Sequence, residues 1–156
     1  MTKEMISEYT LRISEANRTQ MVEILYELLL EYISEAESDF ENKAYDAFSA
    51  DLEHAVAVVR ELSASINTES KLSGTFFSLY IFISKELTLS GVKRNIDTLK
   101  RIRPMIEKLR DAYSELAKRD GSVSLMSNSE KVYAGLTYGK ESLIVHINGQ
   151  NRGITV

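Results

Sequence analysis

Acidic residues and histidines are the side chains of this chain that could bind a metal or carry acid–base catalysis, and the sequence has 2 histidines. Asp51 and His54 stand three positions apart, a spacing that places two ligands on the same face of a helix. A carboxylate-bridged metal pair in a helical bundle needs two Glu-x-x-His units and further inward Glu residues. Asp51 and His54 form one approximate unit, so we interpret them as part of a polar helix surface and expect no metal site.

Other reaction motifs are equally weak. The chain has no cysteine nucleophile and no Gly-x-Ser-x-Gly turn. Residues 135–141, GLTYGKE, resemble a phosphate-binding loop, but the two glycines are one position too close and Glu141 replaces the hydroxyl that would hold the metal. Glu23, Glu27 and Glu31 recur every four residues, which indicates a solvated helix edge. We therefore expect a binding protein with no enzymatic activity and no cofactor.

Length and composition favour one domain in a reducing compartment. A chain of 156 residues can bury a single core without disulfides, and the absence of cysteine suits the cytoplasm, where we expect the protein to act. The N-terminal residues lack the apolar run of a signal peptide, and no uncharged apolar stretch approaches the length that crosses a membrane. The net charge is -4, which gives no general attraction to phosphate backbones. We predict no nucleic-acid partner and no membrane insertion.

One basic cluster stands out against the acidic balance. Acidic residues interleave with its bases, which favours a solvated helix face, and the alternative is a docking surface for an acidic partner. The cluster contains Lys93, Arg94, Lys100, Arg101, Arg103, Lys108 and Arg110.

The region between residues 18 and 120 repeats an amphipathic pattern four times, with apolar side chains three and four positions apart. This pattern predicts an all-α fold, an antiparallel up-and-down four-helix bundle. The predicted helices are residues 18–40, 44–66, 72–90 and 93–118.

Local signals predict where these helices begin, end and bend. Asn17 and Gln20 have the spacing of a capping box at the start of the first predicted helix. Gly91 is expected to end the third. Pro104 lies within the fourth, where it removes a backbone donor, so we expect either one bent helix or two consecutive helices.

Both ends of the chain are expected to lie outside the bundle. Residues 1–17 carry few large apolar side chains, which suits a short helix or an arm laid on the bundle. Residues 121–156 open with a serine-rich linker and continue as two alternating runs, at 131–138 and 142–147. These runs predict either a β-hairpin or a disordered tail, because two strands alone are marginally stable in water.

The first predicted helix is more apolar than a bundle core requires. A core-facing helix needs about three apolar positions in seven, whereas 10 of the 13 residues from 21 to 33 are apolar or tyrosine. Either this helix is the central, most buried element, or one of its sides lines a groove that takes an amphipathic helix from a partner.

Short runs of residues along the chain follow the order of one known protein family. They are Ile13-x-x-Ala16, Met21, Leu25-Tyr26, Tyr32-Ile33, Ala36, Glu61-Leu62, Ile66-Asn67, Leu79-Tyr80-x-Phe82-Ile83-x-Lys85-x-Leu87 and Leu109-Arg110-Asp111-Ala112-Tyr113. Together these runs resemble the flagellin export chaperones, the FliS family, over about residues 9–118. The chain departs from the family at Arg18, where a proline is usual, at Glu27-Leu28, at Ile81, where an acid is usual, and at Tyr113, where tryptophan is common.

This resemblance implies a cytoplasmic chaperone that binds the C-terminal segment of flagellin in a hydrophobic groove and prevents premature polymerisation before export. It also implies that Tyr9 and Ile13 belong to an arm that occupies part of the groove when flagellin is absent. The flagellar export apparatus is a further candidate partner. The residues that we predict to contact flagellin are Tyr9, Ile13, Ala16, Met21, Leu25, Tyr26, Leu62, Ile66, Leu79, Tyr80 and Phe82.

Two other functions remain open from the residues. A helical structural or regulatory module that dimerises through the first predicted helix, with no export substrate, would sediment as a tight homodimer. A ligand-binding or enzymatic bundle would require a bound metal or cofactor.

Overall fold

The computed structural model describes residues 1–126, and these residues form five helices and no strand. The helices are α1 (Lys3–Glu15), α2 (Arg18–Glu41), α3 (Tyr45–Ala64), α4 (Ser73–Lys93) and α5 (Asp97–Arg119). The all-helical prediction is confirmed in this part of the chain, but the N-terminal segment adds a fifth helix to the four that periodicity predicted. The hairpin predicted within residues 131–147 lies outside the described residues.

Helix α2 begins where the sequence indicated. The Asn17 side chain accepts a hydrogen bond from the Gln20 amide at 2.9 Å, and the Gln20 side chain accepts one from the Asn17 amide at 2.9 Å. This capping box satisfies amides that the first turn of a helix leaves unpaired. The span predicted for this helix is confirmed to within one residue at its C-terminal end.

Helices α2, α3, α4 and α5 pack in a ring, in which each helix contacts the next and α5 returns to α2. The core inside this ring contains fully buried large side chains such as Tyr26, Phe48, Leu62, Ile83 and Ile106. Helix α2 contacts α1 as well as α3 and α5. It is therefore the central element, which accounts for much of its apolar excess.

Helix α1 runs antiparallel to α2 along the outer face of that helix. Arg12 Nη1 pairs with Glu27 Oε2 at 2.6 Å, and, further along α2, the amino group of Met1 pairs with Glu35 Oε1 at 2.8 Å. Ile24 lies on the same face of α2, and it is buried without belonging to the main core. We attribute this burial to α1, so part of the apolar excess of α2 lies under the N-terminal helix of the same chain.

The connection between α4 and α5 differs from the prediction. Gly91 does not end the helix: α4 continues to Lys93, and Arg94 takes the left-handed conformation with φ 47°. A Cβ at position 91 would lie 3.4 Å from Leu52 Cδ1, which is an ordinary van der Waals distance, so Gly91 is an interior residue of α4 at its contact with α3. Helix α5 then begins at Asp97, later than the predicted residue 93.

Pro104 lies inside α5, which is one continuous helix. The alternative of two consecutive helices is therefore wrong. The proline cannot donate to the carbonyl of Lys100, but both residues are exposed, so water can reach this carbonyl. Ile102 and Ile106, on either side of the proline, are both buried in the core.

Candidate binding site

An exposed apolar surface runs along α4. It consists of Phe77, Ile81, Phe82 and Val92, which are 39%, 69%, 45% and 77% exposed, and it is called the α4 surface below. At 3.6 residues per turn, Phe77, Ile81 and Val92 share one side of the helix, and Phe82 lies beside them. These side chains are therefore available to another polypeptide along most of the length of α4.

The opposite side of α4 faces the core, where Tyr80, Ile83 and Leu87 are at most 2% exposed. A helix on the outside of a bundle needs one apolar stripe for its own packing. Helix α4 carries apolar side chains on both sides, and contiguous exposed apolar residues mark interaction sites on folded proteins. The α4 surface is therefore the first candidate for a binding site.

Charge is sparse on the α4 surface. Among the exposed residues of α4, Lys85 and Lys93 carry the charges, and Lys93 follows Val92 at the end of the helix. Glu86 is half-buried and pairs with Arg101 of α5 at 2.8 Å. The remaining exposed positions are small or bear a hydroxyl, and they are Gly74, Thr75, Ser78 and Thr88. This composition favours a partner that presents apolar side chains and allows its backbone to approach closely.

A cleft opens at the end of the bundle where α2 begins, α3 ends and α4 begins. Its volume is about 200 Å³, and it is called the end cleft below. Arg18 closes one side by donating a hydrogen bond from Nη2 to the carbonyl of Ser65 at 2.8 Å. The lining residues are Arg18, Thr19, Val22, Ser65, Ile66, Asn67, Ser70, Ser73, Phe76, Tyr80 and Tyr113.

Aromatic rings form the inner wall of the end cleft. The ring centroid of Phe76 lies 6.1 Å from that of Tyr80 and 6.4 Å from that of Tyr113. Behind them, the ring of Tyr26 lies 5.6 Å from that of Tyr113. The hydroxyls of Tyr26 and Tyr80 share a hydrogen bond of 2.6 Å. Contacts between aromatic rings add to the stabilisation that burial of the rings provides. This wall is therefore a stable part of the core.

The two hydroxyls stay protonated at neutral pH. Burial raises the pKa of Tyr80 to about 12. Burial, followed by the hydrogen bond to Tyr80, also raises the pKa of Tyr26 above its ordinary value. The inner wall of the end cleft therefore presents neutral rings, which suit the binding of an apolar side chain, and Arg18 is the charged residue of the lining.

The structure distributes the predicted contact residues between core, cleft and surface. Phe82 is exposed on the α4 surface, and Ile66 and Tyr80 line the end cleft. Half-buried positions are Tyr9, Ile13, Met21, Ile66 and Leu79, and buried positions are Ala16, Leu25, Tyr26, Leu62 and Tyr80. Their contact with flagellin stays a prediction. The buried ones have little surface to offer while the bundle keeps this conformation.

Sequence reasoning left Phe77, Ile81 and Val92 out of the contact set. At 3.6 residues per turn, Phe77 and Ile81 fall outside the stripe formed by Tyr80, Ile83 and Leu87, so their spacing is a signal that could have found them. No such signal existed for Val92, because the helix was expected to end before it. Phe76 and Tyr113 have the spacing of core residues, and the cleft that makes their rings accessible depends on the meeting of four helices.

A second concavity, between α1, α2 and α5, is polar. Its volume is about 620 Å³, its lining includes Tyr9, Glu23, Glu31 and Arg110, and it is called the polar groove below.

Several bases of the predicted cluster are paired with acids, which favours the interpretation of that cluster as a helix face. These pairs are Arg101 with Glu86, Arg103 with Glu37 and Arg110 with Asp111.

Within residues 1–126, no group of three or more His, Asp or Glu side chains is arranged to hold a metal ion. His54 is exposed, and its ring centroid lies 5.1 Å from that of Tyr32. Burial, together with the carboxylates of Asp39 and Glu35, raises the pKa of Asp51 to about 6.

No helix among residues 1–126 combines the length and the apolar character that a membrane span requires.

Comparison with known protein families gives one match. The family model described as "Flagellar protein FliS" matches residues 3–120. This range includes all five helices and ends one residue after α5. A search of curated proteins returned no match. The match covers well over half of the chain and confirms the resemblance found in the sequence: the chain belongs to the FliS family of flagellar proteins.

Proposed function

We propose that this chain is a cytoplasmic flagellar secretion chaperone, which binds the C-terminal segment of flagellin and prevents its polymerisation before export. Membership of the FliS family gives the chain a chaperone role in flagellar assembly. The client segment, the groove and the compartment are our proposal. The flagellar export apparatus is a second proposed partner, which would receive the chaperone with its client.

The observation that carries this proposal is the exposed apolar α4 surface. A client segment that is disordered when free must be ordered on binding, at a cost of about 2–5 kcal/mol. Full burial of one large apolar side chain contributes about 1.5–3 kcal/mol. Phe77, Ile81 and Val92, together with matching side chains of an amphipathic client helix, therefore supply enough apolar area to offset the ordering cost.

The end cleft supplies an anchor point near one end of this surface. Phe76 lines the cleft and Phe77 belongs to the α4 surface, and consecutive residues of a helix lie about 100° apart around its axis. A client helix on the α4 surface therefore passes beside the cleft. Deep pockets that take one apolar side chain usually concentrate the binding energy of an interface. We propose that one large apolar residue of the client enters the end cleft.

The proposal is tested by calorimetric titration with a peptide of the flagellin C-terminal segment. Val92→Asp should weaken binding by at least about tenfold, because burial of a valine contributes more than the 1.4 kcal/mol that corresponds to tenfold. Ala112→Asp introduces the same charge at an exposed position of α5 and is the matched control. No heat on mixing with the unaltered protein, or equal affinities for both variants, would overturn the proposal.

The alternative, a dimeric structural or regulatory module, was expected to associate through the first predicted helix. In the structure this helix, α2, contacts α1, α3 and α5, so its apolar residues lie mostly against the same chain. Two copies of the chain would instead associate through the exposed α4 surface. Sedimentation of the unaltered protein and of the Val92→Asp variant distinguishes a dimer from a monomer that binds flagellin.

A further inference from the structure

The residues that follow α5 fold back across the junction between α1 and α2. They are residues 120–126, and they are called the strap below. The Leu125 amide donates to the carbonyl of Ala16 at 3.0 Å, and Ser124 Oγ donates to the carbonyl of Ser14 at 3.2 Å. Ser14 and Ala16 stand at the C-terminal end of α1, where helix carbonyls lack partners within the helix. The strap therefore satisfies the last carbonyls of α1.

The strap also holds the first residues of α2. Asn17 Nδ2 donates to the carbonyls of Asp120 and Ser122 at 3.2 and 3.3 Å. Thr19 Oγ1 donates to Asp120 Oδ2 at 2.5 Å. Asn17 is only 2% exposed, and no buried side-chain polar atom of the described residues lacks a partner. The junction is thus closed by hydrogen bonds to a segment that is distant in sequence.

Helix α1 has few other attachments. It has 13 residues, a length at which an isolated helix is marginal in water. Its packing partner among the helices is α2. Its ion pair between Arg12 and Glu27 is partly solvated, and such pairs contribute little to stability. The strap is therefore a substantial part of what keeps α1 in place.

We propose that the strap is a latch, which holds α1 on α2 and fixes the wall of the end cleft. Arg18 and Thr19 belong to that wall, and Thr19 is bonded directly to the strap. When the strap lifts, α1 loses its C-terminal contacts, the outer face of α2 around Ile24 opens, and the cleft widens. The family match ends at residue 120, so Asp120 lies within it and residues 121–126 of the strap extend past it.

The latch is tested in the full chain by hydrogen exchange. Leu125→Pro removes the amide that donates to Ala16 and should raise the exchange of the α1 amides by about fivefold, the change expected for one lost hydrogen bond. The α3 amides should keep their exchange rates. Val123→Ala is the control within the strap, because Val123 is 87% exposed and its amide has no hydrogen-bond partner among the described residues.

A milder second variant guards against a local effect of proline. Ser124→Ala removes the bond to the Ser14 carbonyl, together with the bond that Ser124 Oγ accepts from the Met126 amide within the strap. It does not restrict the backbone as proline does, and it should also speed exchange in α1. Unchanged exchange in α1 for both Leu125→Pro and Ser124→Ala would overturn the latch. Equal acceleration by Val123→Ala would overturn it as well, because a substitution that removes no hydrogen bond of the strap would then have the same effect.

The consequence for the client rests on the proposed function. If flagellin binds the open form, its apparent affinity rises in proportion to the open population, so Leu125→Pro should tighten peptide binding by the same factor that it raises α1 exchange. Faster exchange with unchanged peptide binding would support the latch and overturn its control of the client site. Absence of peptide binding in every variant would overturn the proposed function alone, since the exchange experiment needs no client.

Discussion

The hydrogen bond between the hydroxyls of Tyr26 and Tyr80 is a buried polar contact behind the end cleft, and its loss should cost stability. Tyr26→Phe or Tyr80→Phe leaves the other hydroxyl without its partner, and a buried unpaired polar group costs about 1–3 kcal/mol. We expect each single variant to lower the free energy of unfolding in urea by that amount.

The double variant of Tyr26 and Tyr80 distinguishes the shared bond from a general effect of lost hydroxyls. It should recover part of the loss, because removal of both partners leaves no unpaired group. Tyr45→Phe is the matched control: its ring lies under the Arg94 guanidinium at 4.9 Å, a contact that phenylalanine keeps. If the stability lost in the double variant equals the sum of the losses in the two single variants, the stabilising role of the bond is contradicted.

Single residues differ in how well the sequence predicts them. The capping box of Asn17 and Gln20 could be predicted because its donors and acceptors lie within three residues of each other. The left-handed conformation at Arg94 could not, since Gly91 is the conformationally cheaper candidate for a helix end. Gly91 is instead an interior residue of α4, and it lies next to Leu52 of α3, which is distant in sequence.

Among the elements, α5 contains the least favourable residue for its conformation. Proline in a helix interior costs about 3 kcal/mol relative to alanine. The packing of α5 on both sides of Pro104 offsets this cost in the native state. We expect Pro104→Ala to raise the free energy of unfolding in urea by about 1–3 kcal/mol, because the amide at 104 can then donate to the carbonyl of Lys100.

The converse substitution in the same helix is the control for Pro104. Ala112→Pro, at another exposed interior position of α5, should lower the free energy of unfolding by about 3 kcal/mol. A loss of stability in Pro104→Ala would mean that α5 needs the geometry that the proline imposes.

Periodicity predicts which helices exist but not what covers their outer faces. Helices α2 and α4 both carry more apolar residues than their core stripes need. The excess of α2 lies under α1, whereas the α4 surface is exposed. The sequence pattern does not distinguish the covered face of α2 from the exposed face of α4. Both faces are apolar, and whether another helix packs on such a face depends on tertiary contacts.

At the scale of the whole molecule, the covered side and the exposed side lie across the ring from each other. Helix α2 contacts α3 and α5, and α4 contacts the same two helices. Helix α1 therefore lies on the side of the bundle away from the α4 surface. The strap and the end cleft are both at the end of the bundle where α2 begins, so the latch can influence the cleft without contacting the α4 surface.

This arrangement predicts how binding of the flagellin segment should respond to salt and temperature. The α4 surface itself is uncharged, and the exposed charges of α4 are those of Lys85 and Lys93. Raising the salt concentration from about 0.1 M to 1 M, which shortens the Debye length from about 10 Å to 3 Å, should therefore change the dissociation constant by less than about threefold. Burial of apolar surface should give a negative heat-capacity change, measured by calorimetry at several temperatures. The polar groove between α1, α2 and α5 is lined by charges of both signs and is the internal comparison. A steep loss of affinity with salt and a heat-capacity change near zero would place the client in the polar groove and contradict the assignment of the α4 surface.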